Sequence, residues 1–424
     1  MEYLSRISDC VLEERLQSSG AVLIEGPKWC GKTSTGAHAA KSIAYLQDPD
    51  KRELYRKMVD SKPSLLLQGK TPRLLDEWQT MPILWDAVRF AVDQRQAMNQ
   101  FILTGSATPL SGAESAVIEH SGVGRIARLR MYPMSLWESR ESNGQVSLSA
   151  LFDKTQEEVL IENKLTLQEM AFALCRGGWP GSLILSDKKA LQVAYNYLEE
   201  LIELDIQRLD DVDRDPGKVR AVLRSYARNV STLTPASTIM QDVRANDMSV
   251  TDKTLSNYLN ALRRLFIVED LKAWRPSLRS KTAIRSADKR HFVDPSIAVA
   301  LLGLTPKSMF DDFNLFGYLF EDMCVRDMRA YVQSIGGEIY HYHDFDELEA
   351  DMVIRLHDGR WAPVEVKMGN KEIETAALHL LKLKNRIDTS KVGEPSFMMV
   401  LTAGEYGYRR QDGVWVVPIG SMKN

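Results

Sequence analysis

Residues 26–33 constrain the fold of this chain more than any other segment. They read Gly-Pro-Lys-Trp-Cys-Gly-Lys-Thr, which is the full G-x-x-x-x-G-K-[ST] pattern of a phosphate-binding loop. The β-prone run 21–25 precedes the loop, and the small, helix-tolerant residues 34–42 follow it. A strand, a loop and a helix N-terminus in this order predict a nucleotide-binding site. The alternative is a chance glycine-rich turn.

The residues of the loop have distinct expected roles. Gly26 and Gly31 let the backbone wrap close to phosphate oxygens, and the following helix adds the positive end of its dipole. Lys32 reaches the β- and γ-phosphates as a catalytic residue, and the Thr33 hydroxyl binds Mg²⁺. We predict that ATP contacts Gly26, Pro27, Lys28, Trp29, Cys30, Gly31, Lys32, Thr33 and Ser34.

A pair of acidic residues closes the next predicted strand. The run 73–78 contains Asp76, which we predict to hold Mg²⁺ through water, and Glu77, which we predict to activate the attacking water. The alternative is a strand followed by solvated acids. A predicted helix at 82–96 and a third strand at 101–106 complete a strand–helix–strand alternation. This alternation predicts an α/β fold of the P-loop NTPase type, with a parallel sheet and nucleotide at the carboxyl ends of its strands.

Three further side chains are candidates for contact with the γ-phosphate. Thr104 and Ser106 end the third strand, so either hydroxyl could sense that group, and ordinary turn hydroxyls are the alternative. Arg125 follows a glycine-containing loop that could swing it towards the transition state, where an arginine stabilises developing charge. The alternative for Arg125 is a surface arginine.

The middle of the chain combines helices with positive charge. Residues 216–290 hold 15 Lys/Arg and 6 Asp/Glu, a net charge of +9 in a chain whose formal net charge is -3. A predicted helix at 249–262 followed by a strand at 266–271 suggests a winged helix that binds DNA through phosphate contacts. The alternative is an interdomain module with solvated lysines. The residues predicted to face nucleic acid are Lys253, Asn257 and the basic run 272–290.

The last third of the chain carries the signature of a nuclease. Asp351 and Glu365-x-Lys367 match the Asp…Glu-x-Lys pattern of restriction-type nucleases. We predict that Asp351 and Glu365 bind Mg²⁺, that Lys367 positions or deprotonates a water, and that Glu321 orients the metal-bound water. The alternative is a short signature on a strand without activity. The predicted strands are 350–356 and 361–367, and the predicted helix that carries Glu321 is 314–334.

The hairpin between these two strands makes the site testable, because a one-residue slip moves every side chain to the opposite face. A two-residue turn at Asp358 and Gly359 would set Asp351 and Glu365 on opposite faces. We predict an odd loop that also includes Arg360, with Gly359 or Arg360 in a left-handed conformation. The side chains that then share one face are those of Asp351, Val353, Glu365 and Lys367.

The order of these motifs resembles a family of bacterial and archaeal AAA-type ATPases, whose members join an N-terminal ATPase to a C-terminal domain with a restriction-endonuclease-like fold. Family members often carry Gln-Val where this chain has Trp29-Cys30, which leaves the glycine and lysine roles unchanged. The resembling segments are the phosphate loop, 75–77, 103–106, 124–125, 132–135, 177–180 and the C-terminal signature. The parts that the resemblance implies are an ATPase core at 1–150, a helical lid at 151–212, a winged-helix-like basic module at 213–290 and a restriction-endonuclease-like domain at 291–424.

Length and composition narrow the class of protein. A chain of 424 residues is long enough for several domains. Its four scattered cysteines form no C-x-x-C pair, which favours a reducing cytoplasm over a disulfide framework, and no apolar run is long enough to span a membrane. We therefore predict a cytoplasmic ATPase that hydrolyses ATP with Mg²⁺ and acts on DNA, alone or as an oligomer. The alternative is a nucleotide-controlled switch that acts on a protein partner and has an inactive C-terminal domain.

Overall fold

The computed structural model describes residues 3–106, 122–207, 209–210, 212–245, 249–279, 284–285 and 287–424. Part of the predicted basic run, at 280–283 and 286, therefore lies outside the described residues. The pattern of contacts divides the chain into two compact units. The first unit comprises Met1–Tyr132 with Arg264–Phe266, and the second comprises Pro133–Arg263 with Ile267–Asn424.

The first unit is built around a parallel sheet with the strand order β2-β3-β4-β1-β5. The predicted parallel sheet and its three predicted strands are confirmed. The elements of this unit are α1 (Ile7–Ser18), β1 (Ala21–Glu25), α2 (Lys32–Ala39), β2 (Ser42–Tyr45), α3 (Arg52–Ser61), β3 (Arg73–Asp76), α4 (Leu84–Arg95), β4 (Phe101–Gly105) and β5 (Ile126–Arg130).

Strand β1 is buried on both faces, as expected for a central strand of a parallel sheet. Val22 and Ile24 pack in the cluster that contains Leu12 of α1, whereas Leu23 packs in the cluster that contains Trp85 of α4. Because β1, β3 and β4 are parallel and adjacent in the order given, their carboxyl ends meet at one edge of the sheet. This edge brings the phosphate loop close to the ends of β3 and β4.

The second unit begins with short strands and a series of helices. The predicted lid region contains two helices, α6 and α7, and also a strand. The elements up to the C-terminal sheet are β6 (Val146–Ser147), α5 (Leu148–Phe152), β7 (Ile161–Glu162), α6 (Leu167–Arg176), α7 (Asp187–Glu200), α8 (Pro216–Arg228), α9 (Ala236–Arg244), α10 (Asp252–Arg264) and α11 (Pro295–Leu302).

A mixed sheet with the strand order β7-β12-β13-β11-β10-β9-β8 completes the second unit. Strands β10, β11 and β13 are mutually parallel, and the other pairs are antiparallel. Its remaining elements are α12 (Phe313–Ser334), β8 (Gly337–His343), β9 (Glu349–Leu356), β10 (Trp361–Lys367), α13 (Ile373–Arg386), α14 (Thr389–Val392), β11 (Met399–Thr402), β12 (Tyr406–Arg409), β13 (Trp415–Pro418) and β14 (Met422–Lys423).

Two strands of the second unit come from a region that the sequence assigned to the ATPase core and the lid. Strand β6 pairs with β14, and β7 pairs with β12, although each partner lies more than 240 residues further along the chain. The contacts thus differ from the sequence division at residue 150. Local patterns gave no sign of this pairing, because each of these strands is only two residues long.

The middle module consists of three helices followed by short antiparallel bridges. The apolar stripe predicted on α10 is confirmed, because Leu255, Leu259 and Leu262 are all buried. The strand predicted at 266–271 is reduced to isolated bridges that join Val268 to Phe292 and Leu271 to Lys289. These bridges hold the end of the basic run against the segment that follows α10.

Buried hydrogen bonds join two segments of this chain that carry the family resemblance, 132–135 and 177–180. Met134 N donates to Gly178 O over 2.6 Å, and Gly178 N donates to Asp294 Oδ2 over 2.9 Å. A Cβ atom at Gly178 would lie only 2.2 Å from Met134 O. The nearby indole of Trp179 donates to Ser296 Oγ over 3.0 Å. Glycine at 178 is therefore required by close backbone approach.

The cysteines and the helix composition were predicted features that the structure describes directly. Cys10, Cys30, Cys175 and Cys324 are all free thiols, and only Cys10 is exposed. Among the residues described, no helix has both the length and the apolar composition needed to cross a membrane.

Candidate functional site

The phosphate loop follows β1 and leads directly into α2. Gly31 is the N-cap of α2 and has φ 103°, a left-handed conformation that favours glycine. A Cβ atom at Gly26 would lie 2.2 Å from Met131 O, so the backbone can approach its neighbour here only without a side chain. The N-terminus of α2 consequently points its free N–H groups into the loop, which is an arrangement that binds anions.

Lys32 is the first residue of α2 and its side chain is buried within the loop. Its side chain is 5% exposed, and Nζ donates a hydrogen bond of 2.7 Å to Pro27 O. The ammonium therefore lies against the backbone that would surround the phosphates.

Hydroxyl and carboxylate oxygens from three segments meet beside the loop. Thr33 Oγ1 donates to Asp76 Oδ1 over 2.8 Å, and Thr104 Oγ1 donates to the same oxygen over 2.7 Å. Asp76 is 8% exposed. Oxygen ligands of this kind are those that Mg²⁺ prefers, so Thr33 and Asp76 fit the predicted metal. Thr104 is fully buried and orients Asp76 through this hydrogen bond.

Glu77 follows β3 in a left-handed conformation with φ 55°, which turns its side chain away from the strand. Thr104 Oγ1 accepts a hydrogen bond of 2.9 Å from the backbone N of Glu77, and Ser106 Oγ donates to its Oε2 over 3.3 Å. Gln79 Nε2 also donates to this carboxylate. Burial raises the pKa of Glu77, and the charge of Lys32 opposes that rise. Sequence reasoning missed Gln79, which belongs to no motif.

Arg125 lies at the edge of the sheet opposite the phosphate loop. Its carbonyl accepts a hydrogen bond from the N–H of Ala21, the first residue of β1, whereas the loop follows Glu25 at the other end. The length of β1 separates the two edges by roughly 13 Å. Arg125 Nε donates to Asp93 Oδ1 over 2.8 Å, and both side chains are partly exposed. The structure therefore places Arg125 away from the phosphate loop of its own chain, so the predicted contact with the γ-phosphate is not made there, and the alternative of a surface arginine fits this position.

A second group of functional candidates lies on β9 and β10. The ladder pairs Trp361 with Arg355 and Val364 with Met352, so the loop is the odd segment 357–359, one residue earlier than predicted. The loop still has an odd number of residues, so the shift leaves the same side chains on each face of the hairpin. Gly359 has φ +92°, which confirms the predicted left-handed residue.

Asp351, Glu365 and Lys367 lie close together on one face, as predicted. Lys367 Nζ lies 3.0 Å from Glu365 Oε2 and 3.7 Å from Asp351 Oδ2. The same Asp351 oxygen accepts a hydrogen bond of 2.8 Å from the N–H of Val366. Glu365 is fully buried, and its Oε2 pairs with the ammonium of Lys367.

The structure adds Lys289 to this group and joins it to Glu321. Lys289 Nζ lies 2.6 Å from Glu321 Oε1 and 2.7 Å from Asp351 Oδ1, and the side chains of all three residues are at most 10% exposed. The buried carboxylate cluster therefore comprises three acids and two lysines. No sequence pattern pointed to Lys289, since it stands 62 residues before Asp351. The cluster members are Lys289, Glu321, Asp351, Glu365 and Lys367.

The pKa values in this cluster follow from burial and from the lysines. Burial would raise the pKa of Asp351, but the charges of Lys289 and Lys367 outweigh it and hold that pKa well below its usual range. Burial raises the pKa of Glu321 to about 8, and the charge of Asp351 adds to the rise. Burial likewise raises the pKa of Glu365. Asp351 is thus the carboxylate that pairs with both Lys289 and Lys367.

The cluster does not present an open metal site. Within the described parts of the chain, no group of three or more His, Cys, Asp or Glu side chains is arranged to hold a metal ion. Both oxygens of Asp351 and one oxygen of Glu321 already contact a lysine. The donor set predicted for Mg²⁺ is therefore assembled, but it does not fit the ion while Lys289 lies within it.

Part of the predicted basic surface is buried. Lys289 and Arg290 are 8% and 7% exposed, and Arg290 Nη1 lies 3.0 Å from Asp270 Oδ2. These two cations are neutralised inside the second unit, so they cannot contact nucleic acid. Lys272, Arg275 and Arg279 of the same run are exposed, and Lys253 and Asn257 are exposed on α10, on the side opposite its buried stripe.

Family models match three successive segments of the chain. Residues 18–139 match the family described as an AAA domain. Residues 167–308 match DUF8612 and residues 316–422 match DUF4143, and both families are described as domains of unknown function. The AAA match covers the phosphate loop, Asp76 and Glu77.

Relatives with similar sequences cover most of the chain. An uncharacterized protein of Mycobacterium tuberculosis is 23% identical over 376 residues, which is 86% of this chain and 76% of the relative. An uncharacterized protein of Haemophilus influenzae is 25% identical over 265 residues, or 62% of this chain and 60% of the relative. A Walker-type ATPase of Pyrococcus abyssi aligns with a TM-score of 0.42 and 14% identity over 71% of this chain and 96% of that structure, a level at which no residue is transferred.

The AAA match and the loop geometry lead to the same assignment. The helix start at Lys32, the Thr33–Asp76 contact and the half-buried Glu77 are those of a P-loop site. The chain therefore has an AAA-type ATP-binding domain at its N-terminus, followed by a C-terminal region of unknown function.

Proposed function

We propose that this protein is a cytoplasmic Mg²⁺-dependent ATPase whose hydrolysis is coupled to nucleic acid. The observation that carries ATP hydrolysis is the contact of Thr33 and Thr104 with one oxygen of Asp76, beside the half-buried Glu77. The AAA match supports ATPase activity. Binding alone would require the loop, whereas a positioned carboxylate next to it is what hydrolysis adds.

Each residue of the site has a separate role in phosphoryl transfer. The N–H groups at the start of α2 and the ammonium of Lys32 bind the phosphate oxygens and stabilise charge that develops on them. Thr33 and Asp76 would hold Mg²⁺, which neutralises charge on the β- and γ-phosphates when bound. Glu77 orients the attacking water and accepts its proton, because a carboxylate whose pKa is raised by burial is a better base near neutral pH.

Coupling to nucleic acid is supported by the exposed face of α10. Lys253, Asn257 and Asn260 are exposed along one side of this helix, whereas the other side packs into the three-helix module. A lysine and two amides on the exposed face of a helix can contact phosphates and base edges. The chemistry of the partner is therefore that of a polyanion with groove-facing hydrogen-bonding groups, as in duplex DNA.

Nucleic-acid coupling is tested by ATP turnover with and without duplex DNA. We expect DNA to increase turnover and Lys253→Ala to weaken DNA binding by about 3- to 10-fold, with the slope of log affinity against log salt reduced by about 1. Lys188→Ala, which removes an exposed lysine from α7, is the matched control and should leave DNA binding and turnover unchanged. If DNA alters neither turnover nor gel mobility, the protein is a nucleotide-controlled switch for a protein partner.

A metal-dependent nuclease activity of the carboxylate cluster is the second candidate function. It is supported by the common face of Asp351, Glu365 and Lys367 and by the full burial of the Glu365 carboxyl group beside Lys367. Burying a carboxyl group costs free energy, so a strand with only a structural role would not require one at this position.

Nicking of supercoiled plasmid DNA with Mn²⁺ or Mg²⁺ tests this activity. We expect Asp351→Asn to reduce nicking by at least about 100-fold, because it removes the carboxylate at the centre of the cluster. Asp358→Asn, in the exposed turn of the same hairpin, should retain wild-type nicking. Equal nicking by the wild type and Asp351→Asn would eliminate the candidate site, and no nicking by the wild type would favour an inactive C-terminal domain.

A further inference from the structure

Lys289 lies where a cation bound by the carboxylate cluster would have to lie. Its ammonium is within 2.7 Å of an oxygen of Asp351 and within 2.6 Å of an oxygen of Glu321. Lys289 and Lys367 together bring two positive charges to the acids, which is the charge of one divalent ion. The lysine nitrogen and a metal ion cannot occupy the same space between these two oxygens.

We infer that Lys289 is a built-in cation that excludes divalent metal from the carboxylate cluster, and that metal enters only when Lys289 withdraws. The inference rests on the nuclease-like site proposed above and concerns the control of that site. It explains why the donors are assembled while no open metal site exists among the described residues.

The position of Lys289 is determined by the middle module. Its backbone forms two hydrogen bonds of 2.9 Å with Leu271, in the bridge that follows α10. On the other side, the carboxylates are carried by β9, by β10 and by α12. The lysine is thus supplied by one part of the second unit and the acids by another. A change in the bridge near Leu271 would move the ammonium relative to the acids.

The neighbouring residues strengthen the case that Lys289 is replaceable by a metal ion. Glu321 and Asp351 share the ammonium of Lys289, and the fully buried Glu365 has its Oε2 3.0 Å from Lys367 Nζ. Three acids that are crowded in this way bind added positive charge more strongly once one of the two lysines is removed. Hard oxygen donors of this number are suited to Mg²⁺ or Mn²⁺.

Mn²⁺ binding to the nucleotide-free, full-length protein tests the inference. Free Mn²⁺ is measured by electron paramagnetic resonance for the wild type, Lys289→Met and Lys289→Met with Asp351→Asn. We expect Lys289→Met to bind one additional Mn²⁺ at least about tenfold more tightly than any Asp351-dependent site of the wild type, because one unit charge has been removed from the cluster. The additional site should be absent from the double variant.

The controls separate this inference from the nuclease proposal. Lys307→Met removes an exposed lysine to which no role is assigned, and it should leave Mn²⁺ binding unchanged. If Lys289→Met does not fold, Lys289→Gln provides an uncharged hydrogen-bond donor of similar length. A folded variant without additional Mn²⁺ overturns the inference, as does a wild type that binds Mn²⁺ equally well through Asp351. Additional Mn²⁺ without plasmid nicking supports metal exclusion and removes only the nuclease activity.

Discussion

Glu77→Gln is expected to slow ATP hydrolysis by about 10²- to 10⁴-fold while nucleotide binding is retained. Glutamine keeps the shape of the side chain and its contacts with Ser106 and Gln79, but it cannot accept a proton from the attacking water. Single-turnover hydrolysis of radiolabelled ATP, with binding measured separately by a fluorescent ATP analogue, distinguishes these two effects.

Lys32→Ala serves as the comparison for the same site. It removes the buried ammonium that lies against the loop backbone, so both binding and hydrolysis should be lost. Glu53→Gln, on the exposed surface of α3, is a matched control for the charge change and should behave as the wild type. Hydrolysis that is unchanged in both Lys32→Ala and Glu77→Gln would place the catalytic site elsewhere.

Arg326→Met is expected to lower the free energy of unfolding of the second unit by about 3–5 kcal/mol. Arg326 is 2% exposed and lies 3.1 Å from Asp294 Oδ2 and 2.7 Å from Asp327 Oδ1. Its removal would leave two carboxylates buried without a cation. These carboxylates also accept the N–H groups of Gly178 and Leu136, so several segments would lose their common anchor. Urea unfolding followed by tryptophan fluorescence measures the change.

A surface arginine provides the control for this prediction. Arg220 Nη2 lies 2.8 Å from Glu199 Oε2, but both side chains are about half exposed, so Arg220→Met should cost less than about 1 kcal/mol. Arg326→Lys should fall between the two, because it keeps the charge but loses the forked contact with both aspartates. A loss below about 1 kcal/mol in Arg326→Met would show that the aspartates find other partners.

In the C-terminal region, the sequence predicted the strands and their shared face but not the burial of Lys289. The strands that carry Asp351 and Glu365 were predicted correctly, because alternation and the Asp-Gly turn are local signals. The shared face was also correct, although the loop begins one residue earlier than predicted, because a turn's place in a hairpin depends on the pairing of its flanking strands. Lys289 was assigned to a surface, since a basic run does not reveal which of its members turn inwards.

The amino-acid sequence by itself determined the phosphate loop, the order of strands and helices around it, and the residue types at the strand ends. These follow from contacts between residues close in sequence, so local patterns are sufficient. Only the tertiary structure decided that Arg125 lies at the far edge of the sheet, that β6 and β7 pair with C-terminal strands, and that Lys289 enters the carboxylate cluster. Each of these depends on segments distant in sequence, whose pairing is governed by burial and charge in the folded chain.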